Sequence, residues 1–187
     1  MVLGVFQVLK NNIVGRLLHA CFAVAIVCQL MSSKIMHHAA FARFLDLTQG
    51  QGFLLHKTIG LFALGFVLLY WLWVLTLRRD KLHHLFAWLT RKGRAKVAAD
   101  SLSILRGRLP EDSEGGLAGL VHGLGLLLVT FVGLCGLILF FFLPLHQAWV
   151  HDVKETHGDF ASWIWWYVAG HTMMAIWHSF AKRRSSS

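Results

Sequence analysis

The chain has 187 residues, enough for one domain, and is 56% hydrophobic with 14% charged residues. An ordinary soluble domain carries about 25% charged residues, so a soluble globular protein is excluded and an integral membrane protein is expected. The net charge of +9 is read as basic residues flanking membrane spans, not as a nucleic-acid surface.

Residues 1–12 form a short amphipathic lead with Lys10, and residues 13–33 a first apolar span. A cleaved signal peptide competes for this stretch. Arg16 and His19 interrupt the start of the run, however, and SSKIMHHAAF is a poor cleavage site. Residues 34–52 are a polar connection. Residues 53–77 form a second span, with Tyr70, Trp71 and Trp73 toward its later end, as interfacial aromatics lie. Residues 78–115 are the longest polar segment and hold nine Lys/Arg; the apolar clusters at 85–89 and 97–105 predict short amphipathic helices on the membrane surface. Residues 116–143 form a third span. Gly115, Gly119 and Gly123 recur there on one face, a spacing that admits either a close helix or a flat cofactor. Pro144 ends this helix. After a connection at 145–156, residues 157–181 form a fourth span, followed by Lys182, Arg183, Arg184 and a serine tail.

The expected fold is all-α: a four-helix membrane bundle with a long cytoplasmic loop between its second and third helices, making one domain over residues 1–187. Fourteen of the eighteen Lys/Arg fall on the side that holds both termini and the 78–115 loop. The positive-inside rule therefore makes both termini cytoplasmic.

Ionisable residues inside spans are costly and are candidates for function. His19 lies in the first span, His56 in the second, His122 in the third, and His157, His171 and His178 in the fourth. On a helix these last three return to nearly one face, with His157 and His171 roughly 21 Å apart along the axis, too far for one metal ion. No acidic residue lies deep in any span, which disfavours a carboxylate proton path and zinc or di-iron sites. Facing neutral imidazoles suit haem with two axial histidines. There is no CxxCH, so covalent c-type haem is not indicated, and Cys21, Cys28 and Cys135 are read as packing residues. Depth pairs His56 with His157 on the periplasmic side and His19 with His171 nearer the cytoplasm. His122 with His178 is a rival pair, and His122 is also a candidate proton acceptor for a quinone. His37, His38, His83, His84, His146 and His151 are read as loop or interface residues. Gly60 is expected where a side chain would crowd a haem plane.

With these residues placed, the sequence resembles the bacterial cytochrome b561 family, and more broadly the four-helix membrane b-type cytochromes that include hydrogenase cytochrome b subunits. The resemblance covers about residues 13–181. It rests on RLLHA, LLHKTIG, GLVHGLG and THGDFASWIWWYVAGHTMMAIWH, one in each span. It implies two non-covalent b haems per unit, iron ligands at His19, His56, His157 and His171, and electron carriage between the quinone pool and a partner in the bacterial inner membrane. A quinol-linked oxidoreductase is the first reading. A membrane anchor subunit that docks a periplasmic dehydrogenase or hydrogenase is the second, and a non-haem helical transporter the third. Lipid and quinone are the expected partners, with a periplasmic redox protein and a homodimer left open and nucleic acid not expected.

Overall fold

The computed structural model describes residues 12–108 and 115–185; residues 1–11 of the amphipathic lead, Pro110 and the end of the serine tail lie outside them. Among the described residues the protein is all-helical. α1 is Asn12–His37, α2 Ala39–Phe44, α3 Gln49–Leu77, α4 Arg79–Leu85, α5 Arg91–Leu105, α6 Leu117–Phe142 and α7 Ala148–Ser185, with 3-10 turns at Ala87–Leu89 and Leu143–Leu145.

Local chemistry sets the helix ends. The Thr48 hydroxyl accepts from the Gln51 amide at 3.2 Å, and the Gln51 side chain accepts from the Thr48 amide at 2.8 Å. This reciprocal capping box opens α3. Thr90 caps α5 by accepting from the Gly93 amide at 3.0 Å. At the far end of α5, Gly107 takes φ 71°, and the amides of Gly107 and Arg108 bond back to Ile104 and Ser103 at 2.9 Å each. Glycine supplies the left-handed residue that this helix stop requires. α6 stops at Phe142, and Pro144 lies inside the 3-10 turn that follows.

α1, α3 and α6 are long and apolar enough to cross a membrane. α3, at 29 residues, spans about 43 Å against a hydrocarbon core of about 30 Å. α7 has 38 residues. Its uncharged stretch at 160–181 holds four tryptophans, a tyrosine and two histidines, which lower its hydropathy without adding charge. α7 also begins earlier than the sequence pattern suggested. AWVHDVKET contains neither Gly nor Pro, so the helix runs through the polar residues expected to be a connection. Likewise residues 34–52 are mostly helix, and the basic 79–105 segment folds as α4, a 3-10 turn and α5.

The chain forms two compact units. The first runs to Leu77 and includes Val129–Ala161; the second comprises Arg78–Leu128 and the segment from Ser162. In the first, α1 packs along α3. Gly52 brings the α3 backbone against Ile35 and the Met36 amide, and Val67 and Val74 are fully buried. Trp71 on α3 donates to Thr130 on α6 at 3.0 Å. Large apolar side chains such as Val24, Phe62 and Leu72 are more than half exposed, as suits helices whose outer faces meet lipid rather than water. Cys135 is buried and Cys21 and Cys28 are exposed, all as free thiols.

In the second unit the glycine stripe of α6 has a definite neighbour. The main-chain carbonyls of His84 and Leu85 abut Gly119 and Gly123, leaving no room for a Cβ at either position. The small residues thus seat the end of α4. Asp100 on α5 accepts from the Leu117 amide at 2.8 Å, satisfying one of the orphan donors at the start of α6.

Candidate functional site: paired histidines

His56 lies about two turns into α3 and His157 about two and a half turns into α7. The structure brings the two rings together in the first unit, 6.2 Å between centroids and near-perpendicular at 89°. His157 Nδ1 lies 3.0 Å from the Val132 carbonyl of α6. Gly136, one turn further along α6, makes this approach possible: a Cβ there would sit 3.3 Å from the imidazole. A carbonyl only accepts, so His157 carries its proton on Nδ1 and presents the Nε2 lone pair.

His56 reaches the same tautomer by another route. The Ser32 hydroxyl donates to the Gln29 carbonyl at 2.9 Å. Its oxygen lies 3.3 Å from His56 Nδ1 and, having spent its proton, accepts there. His56 Nε2 is therefore an acceptor and receives the Gln29 side-chain amide at 3.0 Å. The other end of that amide, Gln29 Oε1, is buried with no hydrogen-bond partner. Such an atom costs about 1–3 kcal/mol. Gly60 faces this amide, whose nitrogen would lie 3.0 Å from a Cβ.

These two residues could hold a haem iron through their Nε2 atoms, His56 after exchanging the Gln29 amide for the metal. Both Nδ1 atoms are tied to protein acceptors, the arrangement that orients metal-bound histidines and raises their basicity. The ring centroids lie 6.2 Å apart, a separation that would admit one metal ion between two imidazoles at about 2 Å from each ligating nitrogen. The orphaned Oε1 beside His56 marks a polar place that the protein's own groups leave unsatisfied.

The second unit holds another histidine cluster. His171 stacks on Tyr167, 5.6 Å between centroids and 9° between planes, and meets the edge of His122 at 4.9 Å and 88°. That separation is too short for the two rings to share an axial metal. His122 Nδ1 lies 2.7 Å from the Ala118 carbonyl, so its Nε2 is the free acceptor. His178 is two turns beyond His171 on α7. His19 lies on α1 in the first unit and His171 in the second. Among the remaining histidines, His84 contributes its carbonyl to the α6 stripe, His146 a left-handed turn at φ 51°, and His151 an i, i+4 contact with Glu155 at 3.7 Å. Among the described residues no three His, Cys, Asp or Glu side chains converge.

Sequence reasoning passed over Gln29, Ser32 and Tyr167. The available signal was the polar pair Gln29 and Ser32 inside an apolar helix, where hydrogen-bonding side chains usually have an interhelical partner.

Long apolar helices with half-buried, facing imidazoles are what a membrane protein of the haem-carrying class would present. The family model for prokaryotic cytochrome b561 matches residues 11–187, and the chain belongs to that family. Membership makes it a membrane protein that transfers electrons across the bilayer through b-type haem. No curated protein and no solved structure matches the chain.

Proposed function

We propose that the chain oxidises membrane quinol and passes the electrons to a further acceptor through two b haems, one held by His56 and His157 and the other by His19 and His171. The observation that carries this reading is the His56–His157 pair, two facing imidazoles with both Nδ1 atoms engaged. Non-covalent haem supplies a one-electron Fe(III)/Fe(II) couple; the protein supplies ligands, burial and orientation. The fourteen-residue interval between His157 and His171 separates the two sites along α7 by roughly 21 Å. In this reading α7 is the fourth span of the bundle, and the basic-residue asymmetry supports cytoplasmic termini in the bacterial inner membrane. His122, whose Nδ1 is already spent on the Ala118 carbonyl, offers Nε2 to a quinol hydroxyl.

A reduced-minus-oxidised spectrum with haem quantitation tests the reading. Two acid–acetone-extractable haems per chain are expected. His56→Ala or His157→Ala should remove one, and His19→Ala or His171→Ala the other. Stopped-flow mixing with a quinol analogue should reduce both haems in the purified chain. Reduction by dithionite but by no quinol between about pH 6 and 8 would leave an anchor subunit fed by a docked protein. A reporter fused after Ser187 should be active only as a cytoplasmic fusion.

A further inference from the structure

The two histidines of the first unit are tied down unequally. His157 Nδ1 meets a backbone carbonyl at 3.0 Å, fixed by α6 itself. His56 Nδ1 meets a side-chain hydroxyl at 3.3 Å. Ser32 is 2% exposed and is the buried polar side chain of the described core. An unsatisfied hydroxyl there would cost free energy, yet this one is used twice, as a donor to Gln29 and as an acceptor from His56. The donor bond fixes the rotor, so the oxygen lone pair faces α3.

We infer that Ser32 is a positioning residue for the haem ligand His56: it fixes the Nδ1–H tautomer, so that Nε2 keeps the lone pair that would bind iron once the Gln29 amide on it is displaced, and it sets the basicity of this ligand independently of His157. The inference rests on the proposed ligation by His56 and His157. An acceptor on Nδ1–H gives the imidazole more anionic character, and a more basic ligand stabilises Fe(III) over Fe(II). A hydroxyl at 3.3 Å does this less strongly than a carbonyl at 3.0 Å. Position 32 is therefore where sequence change adjusts the potential of this haem, because the Val132 carbonyl has no side chain to substitute.

The test is potentiometry with EPR on the purified full-length holoprotein. Ser32→Ala removes the acceptor without adding volume. In Ser32→Ala the haem that is lost in His157→Ala should favour Fe(II) by about three- to tenfold, tenfold being about 59 mV for a one-electron couple. Its highest-g signal should move as the His56 ring relaxes, while the second haem keeps its potential and signal. Ser32→Thr, which retains the hydroxyl, should restore both. Selective loss of that haem in Ser32→Ala, with recovery in Ser32→Thr, supports the same role. Wild-type potentials and signals for both haems in Ser32→Ala would overturn it, as would an equal change at both haems. Retention of both haems in His56→Ala would refute the underlying ligand assignment, a result separable from all of these.

Discussion

Gly125→Ala gives a sharp test of the His171 cluster. A Cβ at position 125 would fall against Cζ, Oη and Cε2 of Tyr167, closer than real side-chain contacts come. An isolated tyrosine tip could swing away. This ring lies parallel to His171 at 5.6 Å, so yielding breaks the stack. Overpacking of this kind costs about 1–3 kcal/mol, and loss of an aromatic pair about 0.5–1.5 kcal/mol. Alanine recovers about 1 kcal/mol of helix propensity over glycine. The net expectation is a loss of roughly 1–3 kcal/mol, a fall in thermal midpoint of roughly 2–12 °C for a chain of this length. The assay is thermal unfolding in detergent for the single and double variants with Tyr167→Ala. In the Tyr167→Ala background the obstacle is gone, so Gly125→Ala should become neutral or stabilise by up to about 1 kcal/mol. Gly158→Ala, at an exposed helical position with nothing within 4 Å, is the control and should not destabilise. A Gly125→Ala protein as stable as wild type would refute the packing, and so would a penalty that persists without Tyr167.

Three other outcomes follow from the same contacts. Asp100→Ala removes the acceptor of the Leu117 amide and should cost about 0.5–2 kcal/mol, read as a lower thermal midpoint that Asp100→Asn largely restores. Gly52→Ala drives a methyl into Ile35 and the Met36 amide and should destabilise by about 1–3 kcal/mol, because backbone cannot step aside as a flexible side chain does. At the α3–α4 corner, Arg78 Nε and Nη2 donate to Asp80 Oδ1 and Oδ2 at 3.0 and 2.7 Å, holding the Asp80 carboxyl down to about 2 from 3.8. A depressed pKa contributes fully above the unfolded value and is lost as pH falls through the folded one. Protection of the Lys81 amide, which bonds Arg78 at 2.9 Å, should therefore hold down to about pH 4 and disappear toward pH 2, whereas Asp80→Asn should lack the extra protection throughout.

The histidines were legible because a polar residue in an apolar run stands out, and because helical periodicity carries depth from residue number. His56 and His157 could therefore be paired before any coordinates. Their supports could not. Ser32 sits in QLMSS, which reads as the fraying end of a span; its value comes from facing His56 across 24 residues of sequence. Gly60 shows the same limit. Its place on the His56 face was readable, but the Gln29 amide opposite it depends on the register between α1 and α3. The start of α7 is hard to read because Asp152, Lys154 and Glu155 look like a polar connection, yet they continue the helix. The Tyr167–His171 stack was within reach, since residues four apart on a helix are neighbours; the edge of His122 was not, because it comes from another helix.

A glycine every fourth residue in a membrane helix is commonly taken as a seam for self-association. In this chain the His84 and Leu85 carbonyls already rest on Gly119 and Gly123. A second copy cannot use that face without first lifting the end of α4 off Gly119 and Gly123. Any dimer compatible with this fold must therefore be built from another surface.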